Sequence, residues 1–214
     1  MFKQSRYSKL DVPQKRANYF YCVRVTNPEI HDSILTALEW IVDKEAQYED
    51  FCYSKEILQV TLCEVCLETE DDITKARMAL LGVSDLLGQN LPKAKLQIKG
   101  LTTLNDKVLV ADVQYGEDFR HFADLLTSKI KDAGVNVIQD NDYRAHMTVM
   151  RVTSSKARKA KVEKINPWIY VNLKKTHFGD QMVNSVHLCK MGSERRDYDG
   201  FYETPAEIIF RTEE

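Results

Sequence analysis

The sequence contains no apolar run approaching the ~20 residues needed to cross a bilayer as a helix, and its N-terminus is polar rather than signal-like. It also lacks an Asn-x-Ser/Thr sequon. The expectation is therefore a soluble protein of the cytoplasm, the nucleus or both, with no membrane among its partners. An excess of either charge is missing as well. A net charge of −2 and a pI near 6.2 provide no global basic field of the kind that draws long nucleic acid, although a small anion in a local pocket is compatible. The five cysteines, Cys22, Cys52, Cys63, Cys66 and Cys189, are odd in number and scattered through apolar segments, which suits buried reduced thiols. Cys63-Glu64-Val65-Cys66 has no second pair to complete a zinc site, and on a strand its two thiols point to opposite faces. No metal and no cofactor is expected. No low-complexity linker divides the chain, so one domain is expected over residues 16–211, after a basic leader at 1–15 and before a tail at 212–214.

What is present alternates between strand and helix patterns. A strand from Tyr19 to Thr26 leads to Asn27, which caps a helix with Pro28 in its first turn and an apolar stripe of Ile30, Ile34, Leu38 and Ile41. A loop from Tyr48 to Tyr53 precedes a strand at Ile57–Cys66. A helix opened by Asp71 and Asp72 buries Ile73, Leu80 and Leu87 and stops at Gly88. Ala94–Leu101 and Lys107–Tyr115 read as a hairpin turning at Asn105-Asp106. The next helix, Glu117 to Ala133, buries Phe119, Phe122, Leu126, Ile130 and Ala133 and ends at Gly134. Val135–Ile138 and an Asp140-Asn141-Asp142 turn deliver another strand, and Val183–Met191 and Glu207–Phe210 close the domain. The basic stretch Ser154–Ile165 is a solvated helix face, a nuclear-import patch or a rim that steers phosphates, and Pro167-Trp168-Ile169-Tyr170 is a packed connector.

Two of these strands carry chemistry. In Tyr143-Arg144-Ala145-His146-Met147-Thr148-Val149, strand alternation puts His146 and Thr148 on one face and Met147 and Val149 on the other. Imidazole is the side chain type that exchanges protons near neutral pH, and a hydroxyl beside it can donate to an anion, a pairing suited to a phosphoester. Leu58-Gln59-Val60-Thr61-Leu62-Cys63 repeats the polar-apolar-Thr-apolar order about half a domain earlier.

This pair of motifs resembles the two-histidine (2H) phosphoesterase superfamily. The A-kinase anchoring protein central-domain branch is the nearer resemblance, through Ala17-Asn18-Tyr19-Phe20, the two motif strands, and His177-Phe178-Gly179 before Val186-His187-Leu188-Cys189. The resemblance implies a bilobal α+β fold with two antiparallel-rich sheets facing a central groove and helices outside. It also implies metal-independent proton transfer by two histidines, with threonine hydroxyls holding phosphoryl oxygens. Carried over by position, Thr61, His146 and Thr148 are present and Gln59 stands where the first histidine is expected. A glutamine amide can donate to phosphate but cannot exchange a proton. Tyr143 is added as a binding residue, and Cys63, Tyr143, His177 and His187 are weighed as substitutes for the missing proton carrier.

The reading is a degenerate 2H phosphoesterase that binds a nucleoside monophosphate, a 2′-5′ oligonucleotide or an RNA end with weak or absent turnover. Its alternatives are an active 2′-5′ or cyclic-nucleotide phosphodiesterase and a protein-interaction scaffold. Anchoring of a kinase subunit by this chain is not expected, because Arg211-Thr212-Glu213-Glu214 follows a strand directly.

Overall fold

The computed structural model describes residues 15–138 and 143–210. The Asp140-Asn141-Asp142 turn, the 212–214 tail and all but the last residue of the 1–15 leader lie outside the described residues. The elements are β1 (Tyr19–Arg24), α1 (Pro28–Lys44), β2 (Gln59–Val65), α2 (Glu70–Gly82), α3 (Ser84–Gln89), β3 (Leu96–Leu104), β4 (Val108–Gln114), α4 (Glu117–Asp132), β5 (Val137–Ile138), β6 (His146–Arg151), α5 (Ser154–Ala160), β7 (His177–Gln181), β8 (Ser185–Lys190) and β9 (Ala206–Ile209).

Local chemistry accounts for most boundaries. Asn27 Oδ1 accepts from the Glu29 N–H at 3.0 Å to start α1, and Ile30, Ile34, Leu38 and Ile41 are buried as a stripe, each contributing about 1.5–3 kcal/mol of burial. Gly179 on β7 allows this helix to approach, since a Cβ there would lie 2.8 Å from Ile30 Cγ1. A reciprocal capping box between Thr69 and Asp72 opens α2. The helix expected to continue to Gly88 breaks at Val83, whose N–H bonds back to Leu80 and Leu81, and Leu87 is buried from the separate α3. Asn105 and Asp106 both take positive φ, 50° and 53°, as a tight hairpin turn between right-twisted strands requires.

Three further expectations are corrected. Ala133 caps α4 and is exposed, because Gly134 (φ 78°) turns the chain away before it can face the core. The Tyr48–Tyr53 segment is largely a 3-10 helix, Ala46–Phe51, with Tyr48 and Phe51 buried. In the connector, Ile169 and Tyr170 are buried but Trp168 is 76 % exposed.

All strand pairs are antiparallel, in the order β7-β3-β4-β6-β2-β1-β8-β9, with β5 on the same edge of β2 as β6. The two expected sheets are the halves of this single sheet. β7-β3-β4-β6 forms one and β2-β1-β8-β9 the other, and they meet at one residue pair, Val60 with Met147. The main core lies on one face, where Tyr21, Val23, Val60, Leu62, Met147 and Val149 meet the helices. On the opposite face of β1 and β8 a smaller core gathers Phe20, Cys22, Ile57, Cys189, Phe201 and Tyr202. Among the described residues no helix is long and apolar enough to cross a membrane.

Candidate functional site

The join between the half-sheets places the motifs. β6 pairs with β4 from Val108–Arg151 to Asp112–His146, but with β2 only at Val60–Met147. Both of those residues are fully buried, so their strand neighbours project to the other face. The antiparallel sense of that one pair puts Thr61 on the His146 side of it and Gln59 on the Thr148 side. The arrangement is a local pseudo-twofold, with Gln59 and His146 diagonal to one another.

The polar groups are held from behind. His146 Nδ1 lies 2.9 Å from the Arg144 carbonyl, which can only accept, so Nδ1 carries the proton and Nε2 is left for the groove. Gln59 and Thr61 bond to each other: Thr61 Oγ1 is 3.1 Å from the amide nitrogen and 3.2 Å from the amide oxygen, and the hydroxyl accepts from one or donates to the other. Tyr143 donates its hydroxyl to the Thr61 carbonyl at 2.9 Å, and burial raises its pKa, keeping the donor protonated.

Gln59, Thr61, Tyr143, His146 and Thr148 all line one groove of about 880 Å³. Thr127 and Lys131 of α4 form one flank, and Tyr53, Arg195 and Tyr202 line it as well. The loop carrying Arg195 and Tyr202 is pinned to β1 by Asp199. That carboxylate accepts from Arg24 Nη1 at 2.6 Å, from Arg196 Nε and Nη2 at 3.0 and 2.6 Å, and from the Phe201 N–H at 3.1 Å. These donors outweigh burial and hold its pKa well below the usual carboxylate range. Arg24 is also the strand partner of Gln59. Four cations, Lys131, Arg144, Arg151 and Arg195, line the groove with two carboxylates, Glu64 and Asp124.

The proposed substitutes for a second proton carrier fare differently. Cys63 does line the groove, but burial pushes its thiol up to about 12 against a hydrogen bond from Thr127, so it stays protonated. Tyr143 is committed to the Thr61 carbonyl. His177 sits on edge strand β7, 3.3 Å from Asp180, and does not line the groove. Nor does His187, which is buried with Nε2 3.0 Å from Ser185 Oγ and Nδ1 3.0 Å from Glu207 Oε2, off the direction of a hydrogen bond. Both histidines were candidates to enter from neighbouring segments; sheet order carries them away from the motif pair. Sequence reasoning missed Arg144, Arg151, Arg195, Tyr53 and Tyr202. Arg144 and Arg151 bracket the second motif and were visible, whereas the others reach the groove only through tertiary packing. Among the described residues no three His, Cys, Asp or Glu side chains gather as a metal site.

Comparison with known proteins identifies the fold and the family. Human A-kinase anchor protein 7 isoform gamma is 23 % identical over 198 residues, covering 90 % of this chain, and the chain spans 57 % of that relative's length. The crystal structure of E. coli LigT complexed with NADP+ superposes with a TM-score of 0.57 at 15 % identity, over 92 % of this chain and 99 % of LigT. LigT complexed with 3'-AMP gives 0.54 at 15 % identity over the same shares. The MHV ns2 PDE domain gives 0.58 at 13 % identity, over 83 % of this chain and 100 % of that domain. The AKAP7 2'5' RNA ligase-like domain family matches residues 17–210, and with the paired motif strands this places the chain in that family, within the 2H phosphoesterase superfamily.

Proposed function

We propose that the groove binds a nucleoside monophosphate, a 2′-5′ oligonucleotide or an RNA end through its phosphoester and turns it over slowly or not at all. One observation carries the reading: the two x-Thr strands meet at Val60–Met147, so Thr61, Thr148, His146 and Gln59 converge on one face of one groove. Hydroxyl, imidazole and amide donors suit phosphoryl oxygens, and the cationic lining suits the charge. His146, with Nδ1 held by a carbonyl, offers Nε2 to take or give a proton. Gln59 offers a hydrogen bond but no second proton carrier, and the Cys63 thiol is not an effective acid with a pKa of about 12. That combination favours binding over cleavage. The LigT complexes with 3'-AMP and NADP+ support the choice of a nucleotide as ligand.

An active phosphodiesterase is the second reading, favoured by the likeness to a PDE domain. The test is calorimetric titration with 3′-AMP, beside cleavage assays on 2′-5′ linked oligoadenylate and a 2′,3′-cyclic nucleotide. Binding that weakens about 10-fold or more in Thr148→Val, the loss of one hydrogen bond to a charged group, is expected together with little cleavage. Absence of binding at millimolar 3′-AMP, or binding indifferent to Thr148→Val, overturns the reading, and brisk cleavage selects the second.

A further inference from the structure

We propose that α5 and the turn after it form a contact surface for single-stranded nucleic acid leaving the groove, so that the ligand runs several nucleotides beyond the phosphate held at the motif pair. The proposal rests on the nucleotide-binding reading of the groove.

The chain as a whole carries −2, yet Lys156, Arg158, Lys159, Lys161 and Lys164 crowd into nine residues with one carboxylate, Glu163. All five cations are exposed, and none takes part in an ion pair among the described residues. A face that serves only for solvation intersperses acids at i+3 and i+4, which stabilise a helix. Here Lys156 and Lys159 repeat one sign at that spacing, and Lys161 caps the helix in the left-handed conformation with Lys164 following. A polyanion would neutralise this concentration of one sign.

Position points the same way. β6 runs along the groove, Arg151 and Thr153 line it, and α5 begins at the next residue, Ser154. Lys156 Nζ donates to the Asp50 carbonyl at 2.6 Å, tying α5 to the Ala46–Phe51 helix. The chain after that helix bridges β6 at Cys52–Met150, and Tyr53, whose N–H donates to the Val149 carbonyl at 2.9 Å, lines the groove. The basic helix is thus fixed at the groove's end. From Thr148 to Thr153 the chain covers ~17 Å at strand rise, a length that several nucleotides of a single strand span.

A membrane surface is the competing partner. An interfacial helix needs an apolar face toward the lipid, and on this segment Val162 and Ile165 are buried while Ala157 and Ala160 pack against the core. The exposed Trp168 further along suits a base as well as a headgroup layer, so the experiment includes both.

The assay measures fluorescence anisotropy of a labelled single-stranded RNA decamer and dinucleotide with the full chain and with Arg158→Ala/Lys159→Ala, from about 50 to 200 mM salt, plus calorimetry with 3′-AMP. The decamer should bind about ten-fold or more tighter than the dinucleotide. In the double variant that gain should be lost and the slope of log K against log salt should shrink by about 1.4, two phosphate contacts at about 0.7 each, with 3′-AMP binding unchanged. A decamer that binds no tighter than the dinucleotide, or equally well to the double variant, overturns the surface while leaving the groove reading intact. Variant-sensitive binding to phosphatidylserine vesicles with no decamer gain overturns it in favour of a membrane. Variant-sensitive decamer binding with no 3′-AMP binding sinks the groove reading and with it the proposal that the strand leaves from the groove.

Discussion

Gln59→His tests whether one missing proton carrier separates this groove from a catalyst. The antiparallel sense of the Val60–Met147 pair puts position 59 on its Thr148 side and diagonal to His146, and Arg24 is its partner on the far side. An imidazole there would share the groove with His146, with one ring as base and the other as acid. General acid–base assistance is worth ~10²–10⁴ in rate, or roughly 3–5 kcal/mol of barrier. The substitution removes the Gln59–Thr61 hydrogen bond, a loss of about 1 kcal/mol in stability that releases the Thr61 hydroxyl for the ligand. Cleavage of 2′-5′ oligoadenylate and of a 2′,3′-cyclic nucleotide would be followed for the parent, Gln59→His, His146→Ala and the double variant. The expected result is a gain of that size in Gln59→His, abolished by His146→Ala, with a bell-shaped pH profile reporting the coupled pair. A parent that already cleaves briskly, with no gain from Gln59→His, refutes the argument that the amide is the deficit. If no variant cleaves either substrate, proton transfer was not the only function lacking.

Tyr143→Phe deletes the hydroxyl bonded to the Thr61 carbonyl and should lower stability by about 1 kcal/mol in denaturant melts, with weaker 3′-AMP binding because Thr61 loses its support. Asp199→Asn leaves Arg24 and Arg196 without their shared carboxylate; a partly exposed network of this kind predicts a loss of about 1–3 kcal/mol at neutral pH. Because the folded pKa of Asp199 is depressed, its contribution is present above the ordinary carboxylate range and fades below it, so parent and variant melts should converge in acid. Burial lowers His187 to about 4, against the pull of Glu207, while the unfolded side chain titrates near 6.5. The unfolded state therefore binds the extra proton first, and stability should fall as pH drops from about 6.5 toward about 4. His187→Gln should flatten that part of the stability profile, and an unchanged profile would show that another group sets it.

The sequence alone was sufficient for features that depend on neighbours a few residues away. Asn27 before Pro28, the stripe Ile30-Ile34-Leu38-Ile41 and the Asn105-Asp106 turn express capping, 3.6-residue periodicity and positive-φ tolerance, which are local properties, and all three stand in the structure. Strand alternation likewise put His146 with Thr148 and Gln59 with Thr61 before any fold was known. The break at Val83 and the exposure of Ala133 were not legible, because helix pattern does not reveal where the core stops demanding a helix. Tertiary structure alone decided which polar residues meet. His146, His177 and His187 all sit on strands, but sheet order β7-β3-β4-β6-β2-β1-β8 carries His177 to one side and buries His187 beneath Phe201, leaving His146 in the groove. The convergence of two motifs 87 residues apart comes down to the single pair Val60–Met147, a long-range contact that no local pattern encodes.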